Sequence, residues 1–448
     1  MSRYKALTWT SLFAVAVAAC GKAPAPSATA PPAVAQGDAT SPTPDENQDL
    51  CLADPGGSSL VDKQLRVLQA GVRKLKAKSD GWVLVGRHWV RKARLASDPG
   101  FYVHVEGCAT AALDLEPGLV PALELRGLVL MNDHKFEEAR QLAEEVLTRE
   151  PENVIALGAL SDALLELGRY REAALAAQRE MSARPGMAAH ARGSYIRWLK
   201  GDTRNAKLLI RDALVNRDAR DPEPAAWTFV EAATIYWHEA DYSGADAVYA
   251  EALKWVPAYP GALVGRGRVA IARRQPRQAA LYLEEAYRAR PLAETAWLLG
   301  DAREMLGDAA GAGEAYDLVV QQGRRGDKLT LALFYATKHR DIDEALRLIE
   351  EERKARGGVY VDDTYAWVLY RAGKSVDARV ASDRALRLGT QDARLLYHAG
   401  AIRMAAGDEA GGRKLVERAL RLNPGFDWTG AAAARRLLDA AAQKMASN

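Results

Sequence analysis

The sequence predicts an all-α protein, an α-solenoid of about ten stacked helical hairpins. Three observations predict it. Apolar residues recur at spacings of three and four through most of the chain, with no sustained alternation of the kind strands need. Prolines recur at a fixed interval: Pro117, Pro151 and Pro185 lie 34 residues apart, and so do Pro257 and Pro291. The composition, 48% hydrophobic and 27% charged over 448 residues, is that of a folded body and excludes wholesale disorder.

The chain opens with Arg3 and Lys5, followed by an uncharged apolar run from Leu7 to Ala19. That run is far shorter than the roughly 20 residues a spanning helix needs, and it fits a secretory signal. It ends in Val17-Ala18-Ala19-Cys20, which resembles the lipobox of bacterial lipoproteins. The resemblance implies removal of residues 1–19, a diacylglycerol on the Cys20 sulfur and acylation of the new amino terminus. Several chains on one cysteine, at about 0.8 kcal/mol per buried methylene, make a stable anchor. Gly21, not Asp, follows the cysteine. By the same resemblance, this implies a lipid-anchored protein of the bacterial cell envelope, on the outer membrane and facing the periplasm.

Residues 20–57 are expected to form a tether. Pro24, Pro26, Pro31, Pro32, Pro42 and Pro44 stand among Ala, Ser and Thr, with no hydrophobic period to build a core. Residues 58–81 are expected to form an amphipathic helix, with Val61, Leu65, Leu68, Val72 and Leu75 on one stripe. Its other face carries Lys63, Arg66, Arg73, Lys74, Lys76 and Lys78. This is either a solvated surface or a contact with anionic headgroups.

Residues 82–424 carry the repeat. The unit from Val120 places Leu123, Gly127, Leu130, Ala139, Ala143, Val146 and Pro151 at positions 4, 8, 11, 20, 24, 27 and 32. The unit from Pro260 places Leu263, Gly267, Ala279, Leu283, Ala286 and Pro291 in the same frame, and weaker units follow it towards Pro424. This pattern resembles the tetratricopeptide repeat. The resemblance implies antiparallel helix pairs stacked into a right-handed superhelix. Small residues at 8 and 20 let two backbones approach, and proline at 32 stops the second helix. Four extra residues near Asp218 to Pro224 predict a longer loop. Residues 425–448 read as a C-terminal capping helix.

No pattern of catalytic residues emerges, so the expectation is that the protein is not an enzyme and has no metal or cofactor. His-Glu-x-x-His, Cys-x-x-Cys and a phosphate-cradling glycine loop are all missing from the sequence. Gly265-Arg266-Gly267 falls inside the repeat frame and reads as helix packing. A net charge of +3, falling to +1 without Arg3 and Lys5, argues against nucleic acid as a partner. With Cys20 lipidated, Cys51 and Cys108 remain. In an oxidising compartment they can pair, which stabilises by about 4 kcal/mol through loop entropy. The alternative is a core Cys108 and a free Cys51.

In the tetratricopeptide family the first helix of each pair lines a groove. Mapping its positions here gives Arg192, Trp227, Trp237, Arg268, Trp297, Tyr360, Trp367, Tyr370 and Tyr397 as candidate contacts. Aromatic and arginine side chains are the usual anchors of recognition surfaces. The alternative is that these aromatics pack as core. The expected function is a membrane-tethered, non-catalytic scaffold. It would bind protein partners or peptide segments and support an envelope complex such as pilus, secretion, polysaccharide-export or peptidoglycan machinery. A glycan-binding lipoprotein of a polysaccharide export system is the second reading, and an enzyme with a site in the repeat groove is the third.

Overall fold

A computed structural model describes residues 43–446. The lipobox and its Cys20, and the tether up to residue 42, lie outside the described residues. Those described are helical, with no strand among them. They divide into two units, residues 43–151 and 152–446.

The first unit contains α1 (Pro44–Cys51), α2 (Leu60–Lys74), α3 (Ser79–Leu95), α4 (Tyr102–Leu115), α5 (Val120–Asn132) and α6 (Phe136–Arg149). α3 with α4 and α5 with α6 form two hairpins. The expected tether, drawn to residue 57, therefore ends earlier. Thr43 and Glu46 cap α1 reciprocally. Three side chains then hold the end of α1 from outside: Gln69 and Trp89 donate to the Cys51 carbonyl at 3.2 and 2.9 Å, and a His104 ring nitrogen meets the Leu50 carbonyl at 2.8 Å. A disulfide joins Cys51 to Cys108, tying α1 to α4. α2 buries Val61, Leu65 and Val72, but Leu75 lies beyond its last turn and is exposed. All six basic residues of its outer face are exposed.

The second unit contains eight hairpins and a final helix. The pairs are α7 (Val154–Glu166) with α8 (Tyr170–Ala183), α9 (Met187–Leu199) with α10 (Thr203–Val215), and α11 (Pro222–His238) with α12 (Tyr242–Trp255). Next come α13 (Pro260–Ala272) with α14 (Pro276–Ala289), α15 (Ala293–Met305) with α16 (Ala309–Gly326), and α17 (Lys328–Lys338) with α18 (Ile342–Ala355). The last are α19 (Val359–Arg371) with α20 (Ser375–Leu386), α21 (Ala393–Ala405) with α22 (Glu409–Leu422), and the closing α23 (Trp428–Ala446). The 34-residue arithmetic has a visible cause. Pro117, Pro151, Pro185, Pro257, Pro291 and Pro424 each stand two residues past the end of a second helix. A proline there cannot continue the helix. Ala139, Ala173, Ala245 and Ala279 are fully buried where paired helices cross.

The second unit also packs over long sequence distances. The Tyr170 hydroxyl accepts from the Val359 amide at 2.6 Å, and Arg356 pairs with Glu166 at 3.2 Å. Thr390 donates to the Leu199 carbonyl at 2.6 Å. Asn423 donates to the Trp237 carbonyl at 2.8 Å and accepts from the Tyr242 hydroxyl at 2.6 Å. Thus the turns inside the first, second and third hairpins of this unit meet the junctions after its sixth, seventh and eighth. Glycines permit the approach. Gly168 and Gly201 have φ of +73° and +74°, and a Cβ on Gly201 would stand 2.5 Å from the Gly389 carbonyl oxygen.

Candidate protein-binding face

The first helices of the pairs position the side chains of interest. On α11, Trp227, Glu231, Thr234 and His238 follow at intervals of four, three and four, which puts them on one face. All four are half-buried. The same stripe is crossed by neighbours. The Thr234 and Tyr249 hydroxyls lie 3.2 Å apart, and Tyr259 donates to Glu223 at 2.9 Å. His238 packs on Trp198 with ring centroids 4.6 Å apart, and its Nδ1 lies 3.9 Å from the Asp392 carboxylate. Asp392 arrives from the junction before α21, so this face is closed over by chain more than 150 residues further on.

Enclosure shapes the electrostatics. Burial raises the Glu231 carboxyl to about 8. Burial and nearby carboxylates hold the phenols of Tyr195, Tyr259 and Tyr360 well above their ordinary range. These tyrosines therefore stay neutral and offer O–H donors. Burial lowers the His238 imidazole, against the pull of Asp392. Asp392 is lowered despite burial, by His238, Arg394 and backbone donors.

The candidate contacts named from sequence divide by accessibility. Arg192 is buried and fully engaged, with two bonds of 2.7 Å to Asp162 and a third to Glu180. It ties α9 to α7 and α8. Trp237 is buried against Tyr242, at 5.5 Å between centroids. Trp297 is buried edge-on to Phe334. Trp367 is buried flat on His398, at 4.0 Å, with Tyr370 and Tyr397 packed around it. Four remain partly accessible: Trp227, Arg268, Tyr360 and Tyr370. Arg268 pairs with Glu294, and the Tyr360 hydroxyl points to Asp392 at 3.4 Å.

Buried donors are left over on these helices. The indole N–H groups of Trp198, Trp227, Trp297 and Trp367 and the Nε of Arg371 and Arg394 have no acceptor among the described residues. A buried donor without a partner costs about 1–3 kcal/mol, so such groups call for an explanation. Sequence reasoning passed over Tyr195, Glu231 and His238 as contacts. The available signal was spacing alone, since Glu231 stands four residues after Trp227.

No group of histidine, cysteine or acidic side chains suited to a metal occurs among the described residues. No described helix is long and apolar enough to cross a membrane.

Residues 125–188 and 264–327 match the tetratricopeptide repeat family profile. No curated protein matches the chain in sequence. Among solved structures, the human IFIT1 dimer with PPP-AAAA is similar at 16% identity and a TM-score of 0.46, covering 85% of this chain and 94% of that one. PilW, described as a type IV pilus biogenesis factor, is similar at 17% identity and a TM-score of 0.39, covering 44% and 90%. The Pseudomonas aeruginosa pilF protein is similar at 20% identity and a TM-score of 0.34, covering 48% and 96%.

Proposed function

We propose that this chain is a non-catalytic, lipid-tethered scaffold that holds a protein segment against the first helices of its second unit. In this reading it serves an assembly of the bacterial cell envelope of the pilus, secretion, polysaccharide-export or peptidoglycan kind. The observation that carries the binding half is the enclosed, half-buried stripe of α11, whose Trp227 indole N–H lacks an acceptor. Repeats without catalytic groups, presenting an aromatic and a donor together, suit recognition of an extended segment. The envelope half is supported by the charged start, the apolar run and Cys20. The exposed basic face of α2 suits a position close to anionic headgroups.

The glycan reading asks for several exposed indoles. Trp237, Trp297 and Trp367 are buried, which leaves Trp227 as the one partly accessible indole on the first helices among the described residues. A protein segment is therefore the favoured ligand. A photo-crosslinking residue at Val230, on the α11 stripe, is expected to capture a protein in intact cells. The same residue at Leu175, exposed on α8, is expected to capture none. Equal capture from both positions defeats the binding half. Cys20→Ser is expected to move the protein from membranes to the soluble fraction, and unchanged membrane retention defeats the anchor.

A further inference from the structure

The second helix of the first unit, α2, has two unlike faces. Inward, Val61, Leu65 and Val72 are buried, and the polar groups on that side are committed. Asp62 pairs with Lys92, and Gln69 donates to the Cys51 and Ala53 carbonyls at 3.2 and 2.8 Å. Ser59 and Asp62 cap the first turn reciprocally. The Trp82 indole donates to the Lys76 carbonyl at 3.0 Å and holds the turn into α3. These bonds fix the rotation of the helix, and they turn its one acidic residue away from the outer face.

Outward, Leu60, Lys63, Val67 and Lys74 follow at intervals of three, four and seven, and Arg66, Ala70 and Arg73 run beside them. All seven are exposed, as are Lys76 and Lys78 in the next turn. Arg66 pairs with Asp54 at 2.9 Å, and Arg73 donates to the Leu52 carbonyl at 2.9 Å. The ammonium groups of Lys63, Lys74, Lys76 and Lys78 have no partner among the described residues. Residues 60–78 thus carry six basic side chains against one buried, paired acid, whereas the whole chain has a net charge of +3. Among these cations stand two large apolar side chains, Leu60 at 68% and Val67 at 72% exposed. A face of one sign with apolar side chains at its level suits the headgroup layer of an anionic bilayer. Its position in the chain argues the same way. Gln69 joins α2 to the end of α1, which starts one residue after Thr43. Cys20 and Thr43 are joined by at most about 80 Å of chain. A surface tethered so near a bilayer meets it at an effective concentration on the order of millimolar, so even a weak contact is populated.

We infer that the outer face of α2, with Lys63, Lys74, Lys76 and Lys78 as its free cations, docks the first unit on a bilayer of anionic phospholipid. The inference rests on the lipid-anchored reading for its place in the cell, and it adds which side of the first unit meets the leaflet.

The test uses the mature chain, residues 20–448, with Cys20→Ser so that no acyl chain contributes. Phosphatidylcholine vesicles containing about one-third phosphatidylglycerol are expected to bind it, and pure phosphatidylcholine vesicles are not. Replacing Lys63, Lys74, Lys76 and Lys78 by Gln is expected to weaken binding about fivefold per residue, whereas Arg at the same four positions keeps it. The same Lys→Gln change at Lys200, Lys354, Lys374 and Lys414, all exposed in the second unit, is expected to leave binding within about twofold. Raising the salt from about 0.05 to 0.5 M is expected to release the protein. Equal binding to both kinds of vesicle, equal loss in the two Gln variants, or binding indifferent to salt overturns the inference. No binding to the anionic vesicles overturns it too and leaves the anchor standing. The anchor is read separately in cells, because a salt wash strips the α2 contact and leaves an acyl chain in place. A crosslinker at Val67 that captures an acidic protein, with no vesicle binding, assigns the face to a protein and overturns the inference as well.

Discussion

Glu231 and Asp327 hold their protons at pH values where ordinary carboxyls have lost them. Burial raises the first to about 8 and the second to about 6. In the unfolded chain both return to ordinary carboxylate values. The folded state therefore binds more protons between those values and the raised ones, and stability falls as pH rises through that window. The Tm of the full-length protein is expected to decline between about pH 5 and pH 8. In Glu231→Gln the decline above about pH 7 is expected to flatten, while the Asp327 part and that of Asp301, which burial raises to about 7 against the pull of Lys338, remain. An identical slope in the variant would falsify the account. The tryptophans teach a related lesson about what a sequence shows. The repeat frame put Trp227, Trp297 and Trp367 on first helices, where they are found. It did not show that Phe334 and His398 cover the last two, because those contacts come from neighbouring repeats.

Helix pairs were the legible part of this protein, because each depends on spacing inside one stretch of chain. Gly265 shows how tight the crossing is: a Cβ there would stand 2.1 Å from the Tyr249 ring. Gly265→Val is expected to cost about 1–3 kcal/mol through overpacking, read as a drop in thermal or urea stability. Unchanged stability would contradict the packing. The short α1 was illegible. Its sequence, Pro44-Asp45-Glu46-Asn47-Gln48-Asp49-Leu50-Cys51, has no apolar period and reads as tether. Contacts from α2, α3 and α4 hold it, with the Cys51–Cys108 bridge across 57 residues. Reduction is expected to lower the stability of this unit by about 4 kcal/mol, and Cys108→Ser to match it. Two free thiols in the unreduced mature protein would refute the bridge, and a null effect of reductant would refute its energetic role.

An open solenoid gains stability from neighbouring repeats alone, so it can unfold piecewise from either end. Residues 152–446 do not fit that description. Hydrogen bonds join residues separated by 189, 191 and 186 positions, at Tyr170–Val359, Leu199–Thr390 and Trp237–Asn423. The spacing corresponds to about five and a half 34-residue repeats, so a later pass of the chain packs on an earlier one. No local pattern encodes this, since it depends on the summed rotation of many hairpins. Such contacts couple the early hairpins of the unit to its last ones. Asn423 offers the cleanest probe, because its amide serves both the Trp237 carbonyl and the Tyr242 hydroxyl. Asn423→Ala is expected to cost about 1–3 kcal/mol, as buried groups lose their partners. The decisive reading is hydrogen exchange in the full-length protein. If the two passes are coupled, the substitution speeds exchange of the Ala240 and Asp241 amides in the α11–α12 turn as well as those of α22. If exchange changes only around α22, the hairpins stand as independent neighbours and the seam does not hold the unit together.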